Sequence, residues 1–226
     1  LGGGGSTGGT SQSVVIETDH NIATNGDAST AIVAQSIGGD GGNGGFAISA
    51  GLDVKAASAN VSLGGGAGAG GTSGSVNVDS YGSMITKGSG SAGIIAQSLG
   101  GDGGNGGFAV SGGAAIGGTV SVGLGGSGAK GGKASAVSVK AGTKKNEQIT
   151  KTSGESSTGI LAQSLGGSGG NGGFSVAAGA SANLYPSASV GVSLGGKGGN
   201  GGTAGSVTLV SSNTVITEGN LSSGLQ

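Results

Sequence analysis

Residues 34–46 read AQSIGGDGGNGGF, residues 96–108 read AQSLGGDGGNGGF and residues 162–174 read AQSLGGSGGNGGF. Glycine loses more conformational entropy on folding than any other residue. A glycine block kept three times at one length and one phase therefore has a structural purpose. Four further blocks share its length, giving runs at 2–10, 38–46, 64–72, 100–108, 125–133, 166–174 and 195–203. Each follows an aliphatic residue: Leu1, Ile37, Leu63, Leu99, Leu124, Leu165 or Leu194. Each divides into three triplets, as in GGD-GGN-GGF. The runs alternate between two classes. Those at 38, 100 and 166 end in Phe46, Phe108 and Phe174, whereas the others end in Thr10, Thr72, Lys133 and Thr203.

The segments between runs read as strands. In the short links 47–63, 109–124 and 175–194, apolar residues recur with a period of two, which is the periodicity of a strand with one apolar face. Phe174, Val176, Ala178, Ala180, Ala182 and Leu184 share one parity, as do Ala188, Val190, Val192 and Leu194. The long links 11–37, 73–99 and 134–165 begin at Val14–Ile16, Val76–Val78 and Val137–Val139. They pass through a turn at 24–26, 87–90 or 152–154 and end in a second strand such as 93–96. Tyr185-Pro186 marks the tip of the longest short link. No stretch sustains a period of 3.6, so the chain is expected to be all-β.

These features predict a β-solenoid, similar to a parallel β-helix, with glycine-triplet segments between the strands. A three-residue period matches polyproline II, which has three residues per turn, and the lack of Cβ atoms lets runs pack backbone to backbone. Residues 1–226 form one repeat array of double-coil repeats, at about 37–98, 99–164 and 165–226. Val, Ile, Leu and the three Phe are expected inside, with Ser, Thr, Asn and Lys outside. A fixed length and triplet phase argue against a disordered glycine linker.

Composition narrows function. Glycine supplies 61 of 226 residues, against a usual ~7%. Aromatics are 2% and charged residues 8%, so neither an ordinary aromatic core nor a charged disordered coil fits. There is no cysteine, which excludes disulfide and thiol chemistry. The nine basic residues are all Lys, there is no Trp, and the net charge is −1. Phosphate-backbone binding and base stacking thus lack their usual residues, and no nucleic-acid partner is expected. Apolar runs reach about four residues, such as 31–34, far short of the ~20 that span a bilayer. The residues from Leu1 do not read as a signal peptide, so a secreted protein would contain this chain as an internal piece.

No catalytic, cofactor-binding or metal-binding residues are identified, and an enzyme is not expected. GGDGGNGGF invites comparison with calcium-binding glycine nonapeptides. Its sixth position is Asn43, Asn105 or Asn171, however, and its third is Asp40 or Asp102 but Ser168. The blocks are not in tandem, so several oxygen ligands do not converge. These side chains read as caps of the glycine segments. No Gly-Lys-Ser/Thr opens a helix, which excludes a phosphate loop of that kind. His20 has only Glu17 and Asp19 nearby, and Gly82 and Thr143 occupy its matching positions. It reads as a solvated turn residue. Gln35, Gln97 and Gln163 recur at one place and suggest an amide ladder.

The stretches 29–46, 91–108 and 157–174, STAIVAQSIGGDGGNGGF, SAGIIAQSLGGDGGNGGF and STGILAQSLGGSGGNGGF, resemble the glycine-rich passenger region of large bacterial autotransporters, the type V secreted surface proteins. The likeness covers nearly the whole chain, although the C-terminal membrane barrel of that family is absent. It implies an extracellular, cell-surface passenger built as a parallel β-helix, anchored in the outer membrane through another part. The expected function is a structural or adhesive repeat that projects a rigid fibre. Its partners would be copies or neighbouring repeats, end to end, and a host or abiotic surface. The alternative is a flat-faced ice- or carbohydrate-binding surface, with Thr10, Thr72 and Thr203 hinting at a threonine row.

Overall fold

The computed structural model describes residues 1–142, 148–182 and 187–226, so the Tyr185-Pro186 tip and Leu184 lie outside the described residues. The described chain is all-β, with five sheets of parallel strands and no helix. Sheet 1 stacks β1 (Val14–Thr18), β6 (Val76–Ser80), β11 (Val137–Ala141) and β16 (Val207–Ser211). Sheet 2 stacks β2 (Ile22–Thr24), β7 (Met84–Thr86), β12 (Ile149–Thr152) and β17 (Thr214–Thr217). Sheet 3 holds β3 (Ile32–Ile37), β8 (Ile94–Leu99) and β13 (Ile160–Leu165). Sheet 4 holds β4 (Ala47–Asp53), β9 (Ala109–Ala115) and β14 (Ser175–Ser181). Sheet 5 holds β5 (Ser58–Leu63), β10 (Thr119–Leu124) and β15 (Ser189–Leu194). Like pairs with like: Ile94 with Ile32 and Ile160, and Leu124 with Leu63 and Leu194.

One repeat adds a single strand to every sheet. The two coils counted per repeat in the sequence are therefore two passes of one circuit. Sheets 1, 2 and 3 close a three-sided lobe. A Phe-ending glycine run leads out of sheet 3, sheets 4 and 5 fold back on each other, and a Thr- or Lys-ending run returns to sheet 1.

The three-sided lobe holds the apolar core: Ile32, Ala34, Val76, Val78, Met84, Ile94, Ala96, Val137, Val139, Ala141, Ile160 and Ala162. The AQS triplet explains itself here. Ala34, Ala96 and Ala162 are buried. Gln35 Nε2 donates to Gln97 Oε1 at 2.6 Å, and Gln97 Nε2 to Gln163 Oε1 at 2.8 Å, forming the amide ladder on the outside. Ser36, Ser98 and Ser164 point inward and tie down the chain returning from the other glycine run. Ser98 Oγ donates to Gly74 O at 3.0 Å and accepts the Ser135 N–H at 2.9 Å.

Sheets 4 and 5 reverse this order, which corrects the expected interior. Their inward residues are small and mostly polar: Ala47, Asn60, Ser62, Ala109, Ser111, Thr119 and Ser121 are buried. Their outward residues are apolar, with Ile48 65%, Val61 57%, Val120 48% and Val176 49% exposed. The strand parity is as expected, and the face is the opposite one. Spacing is the reason. A Cβ on Gly51 or Gly113 would fall on the Asn60 side chain, and one on Gly179 on Thr119 Oγ1. Two sheets this close admit no Val, Leu or Phe between them. The arrangement has a cost, because Ser62 Oγ, Thr119 Oγ1 and Ser121 Oγ are buried without a hydrogen-bond partner.

Candidate functional surfaces

Between the lobes the seven glycine runs form two flat layers. Within a layer the runs are parallel, and the first residue of each triplet donates to the next run of its class. Gly38, Gly41 and Gly44 donate to Leu99, Asp102 and Asn105 carbonyls at 2.8 Å each. Between layers the runs are antiparallel, and the second residue of each triplet donates across. Gly101 donates to Gly71 at 3.0 Å, Gly104 to Gly68 at 3.0 Å and Gly107 to Gly65 at 2.8 Å. One zigzag of such bonds crosses all seven runs, from Gly202 through Gly167, Gly132, Gly101, Gly71 and Gly39 to Gly9. The bonds leave the run and repeat every three residues, which is the periodicity of polyproline II.

This pairing dictates the sequence GGX. A Cβ on Gly103 or Gly104 would land on the carbonyl oxygen of Ala129 or Gly42. At the third position, a Cβ on Gly66 would meet nothing within 4 Å, so any side chain fits there. Only third residues face outward.

On the Phe-ending layer these residues form rows of Asp40, Asp102 and Ser168, of Asn43, Asn105 and Asn171, and of Phe46, Phe108 and Phe174. The Asp and Asn side chains cap backbone donors of the next run. Asp40 Oδ1 accepts the Asp102 N–H at 2.8 Å, Asn43 Oδ1 that of Asn105 at 2.7 Å, and Asp102 Oδ1 that of Ser168 at 2.6 Å. Capping is thus their role in the fold. The Phe rings are not inside, which is the second correction. Phe46 and Phe174 are each 61% exposed, and the three rings stack on one another, with centroids 5.2 and 5.3 Å apart. They occupy the outward triplet position, and the outward parity continues from them through Ile48, Val110 and Val176.

The opposite layer carries Ser127, Lys130 and Lys133 on one run and Lys197, Asn200 and Thr203 on the next. Thr72 and Thr203 flank Lys133, so the threonine row is interrupted by a charge. A cleft of about 240 Å³ opens here, lined by Thr72, Lys130, Lys133, Asn200 and Thr203 among others. A second, apolar hollow of about 260 Å³ lies near the far end of sheet 4, lined by Leu52, Val54, Ala114, Ile116 and Ala180. At that end Asp53 Oδ1 accepts the N–H groups of Lys55 and Ala56 at 2.8 and 2.9 Å. These two bonds hold its carboxyl below the ordinary range.

His20 is exposed, with Nδ1 2.6 Å from Asp19 Oδ1. Among the described residues no three His, Cys, Asp or Glu are grouped to hold a metal ion, and no helix is long and apolar enough to cross a membrane. Sequence reasoning missed the outward apolar faces of sheets 4 and 5 and the lysine cleft. Parity revealed the former as a pattern but not which side of the sheet was wet.

No protein-family model and no curated protein matches the chain. A solved structure similar to it is the nine polyproline type II helical bundle springtail antifreeze protein from Granisotoma rainieri. The two share 18% identity, with 91% of this chain and 94% of that chain covered and a TM-score of 0.17. At that score the likeness carries no argument about fold or function.

Proposed function

We propose that this chain is a structural, adhesive repeat of a bacterial surface protein or filament, a rigid element that sticks to other copies or to surfaces. The observation that carries the reading is the outward apolar face of sheets 4 and 5. Phe46, Ile48, Leu52, Val61, Leu63, Val120, Val176, Val190 and Leu194 all lie between 38% and 87% exposed. Contiguous apolar patches on a protein surface mark interaction sites. Here the patches are flat, uncharged at their outward strand positions, and repeated in each layer, which suits adhesion to extended surfaces better than capture of one small molecule. A bacterial cell-surface location, and secretion of the autotransporter kind, follow from the resemblance of the AQS-glycine blocks and belong to the same proposal.

The triple substitution Ile48→Lys, Val110→Lys and Val176→Lys tests it. These side chains point away from the sheet 4–5 interior, so the circular dichroism spectrum should be retained. The parent chain should associate in light scattering and adsorb to an apolar surface, and the variant should do neither. A parent chain that stays monomeric at high concentration and adsorbs no better than the variant contradicts the proposal.

A second reading, a flat-faced ice or carbohydrate binder, draws on the flat glycine faces and their Asn row. Lys133 breaks the threonine row, and face-to-face stacking leaves a free ring face only on Phe46 and Phe174. Thermal hysteresis or binding on a glycan array would support it.

A further inference from the structure

The two glycine faces differ in how they treat the third-position N–H. On the Phe-ending face the donors of Asp102, Asn105, Ser168 and Asn171 are accepted by side chains of the preceding run. On the opposite face the third-position donors around the cleft belong to Lys130, Lys133, Asn200 and Thr203. The residues beneath them are Ala69, Thr72, Lys130 and Lys133, and none of these four N–H groups bonds to the described residues. Thr72 apart, the side chains of the residues beneath offer no acceptor. The same four residues line the 240 Å³ cleft, together with Gly70, Thr72 and the glycines between them, and no carboxylate does. Neither lysine is in an ion pair, since the ion-paired lysines among the described residues are Lys140 and Lys151.

A concavity with outward backbone donors and two ammonium groups, and without an acid, is complementary to an oxyanion. Each charged oxygen can accept an N–H while a lysine balances the charge. We propose that this cleft binds a phosphate or sulfate group, held by the Lys130 and Lys133 ammonium groups and by backbone N–H of Asn200 and Thr203. The two lysines are one triplet apart, about 9 Å at polyproline-II rise. A polymer bearing repeated anionic groups can therefore engage both. The site is independent of the apolar faces and of the adhesive reading.

The test follows backbone amide NMR shifts during titration with inorganic phosphate, inorganic sulfate and dextran sulfate. Saturable shifts should centre on the amides of Lys130, Lys133, Asn200 and Thr203. Lys133→Gln should weaken binding about tenfold, the size of one charge-assisted hydrogen bond, and Lys87→Gln should leave it unchanged. Lys130→Asp copies the opposite face. It should place a carboxylate oxygen on the Asn200 N–H and abolish binding, with Lys130→Gln as the milder variant if Asp disturbs folding. Shifts with all three anions support a simple oxyanion pocket, and localised shifts with dextran sulfate alone assign it to a polymer. The proposal is overturned if these amides do not respond. It is equally overturned if Lys87→Gln weakens binding as much as Lys133→Gln, or if both Lys130 variants bind as the parent does.

Discussion

At the residue scale the decisive quantity is the space for one carbon atom. In the glycine layers, a Cβ at a first triplet position would meet a carbonyl of the other layer and one at a second position a carbonyl of the neighbouring run, whereas third positions face water. Gly104→Val should therefore destabilise the chain by at least about 3 kcal/mol, the upper end of overpacking, because its Cβ would land on Gly42 O. Gly66→Val, at an open third position, should stay within about 0.5 kcal/mol of the parent. Urea denaturation of the two variants checks both, and equal losses would show that triplet phase does not matter. The same logic makes Ala67 and Ala129 informative, since they place methyl groups at inward positions. The Ala129 N–H meets Gly104 O at 3.1 Å, against 2.7 Å for the Gly126 and Gly132 bonds on either side.

At the element scale the question is which face of each strand is dry. In the three-sided lobe Ile94 is fully buried, and Ile94→Ala should cost about 2–5 kcal/mol. Phe108, half-buried between two stacked rings, should lose only about 0.5–1.5 kcal/mol as Phe108→Ala, the worth of aromatic stacking. Chemical denaturation ranks the pair, and a larger loss at Phe108 would put the ring back in the core. The strands themselves were legible. Alternation over 174–182 and 188–194, and the Val-rich starts at 14, 76 and 137, mark elements that the structure contains. What alternation cannot carry is the sign of the face, because a period of two is unchanged when a strand is turned over. Hydrophobicity normally decides it. Between sheets 4 and 5 the glycine and asparagine packing decides it instead, and turns Ile48, Val120 and Val176 outward. The short β2, β7 and β12 strands escaped notice because three or four residues hold too little periodicity to read.

At the scale of the whole molecule, two β lobes are joined by a glycine bilayer that carries its own hydrogen-bond lattice. Each layer repeats the pairing of the last, through 62 residues at Gln35–Gln97 and 66 at Gln97–Gln163. The array thus grows by addition of equivalent units, as solenoid stacks do. The central claim is that the glycine runs are built structure with a three-residue bonding pattern, and amide hydrogen exchange along residues 125–133 tests it most directly. Gly125, Gly128 and Gly131 donate within the layer, and Gly126, Ala129 and Gly132 donate across it, whereas Ser127, Lys130 and Lys133 donate to no described residue. Exchange should be slow at those six amides and fast at the three third positions, since exchange follows the opening of each hydrogen bond. Uniformly fast exchange across all nine residues, or protection at Ser127, Lys130 and Lys133 equal to the rest, would contradict the account.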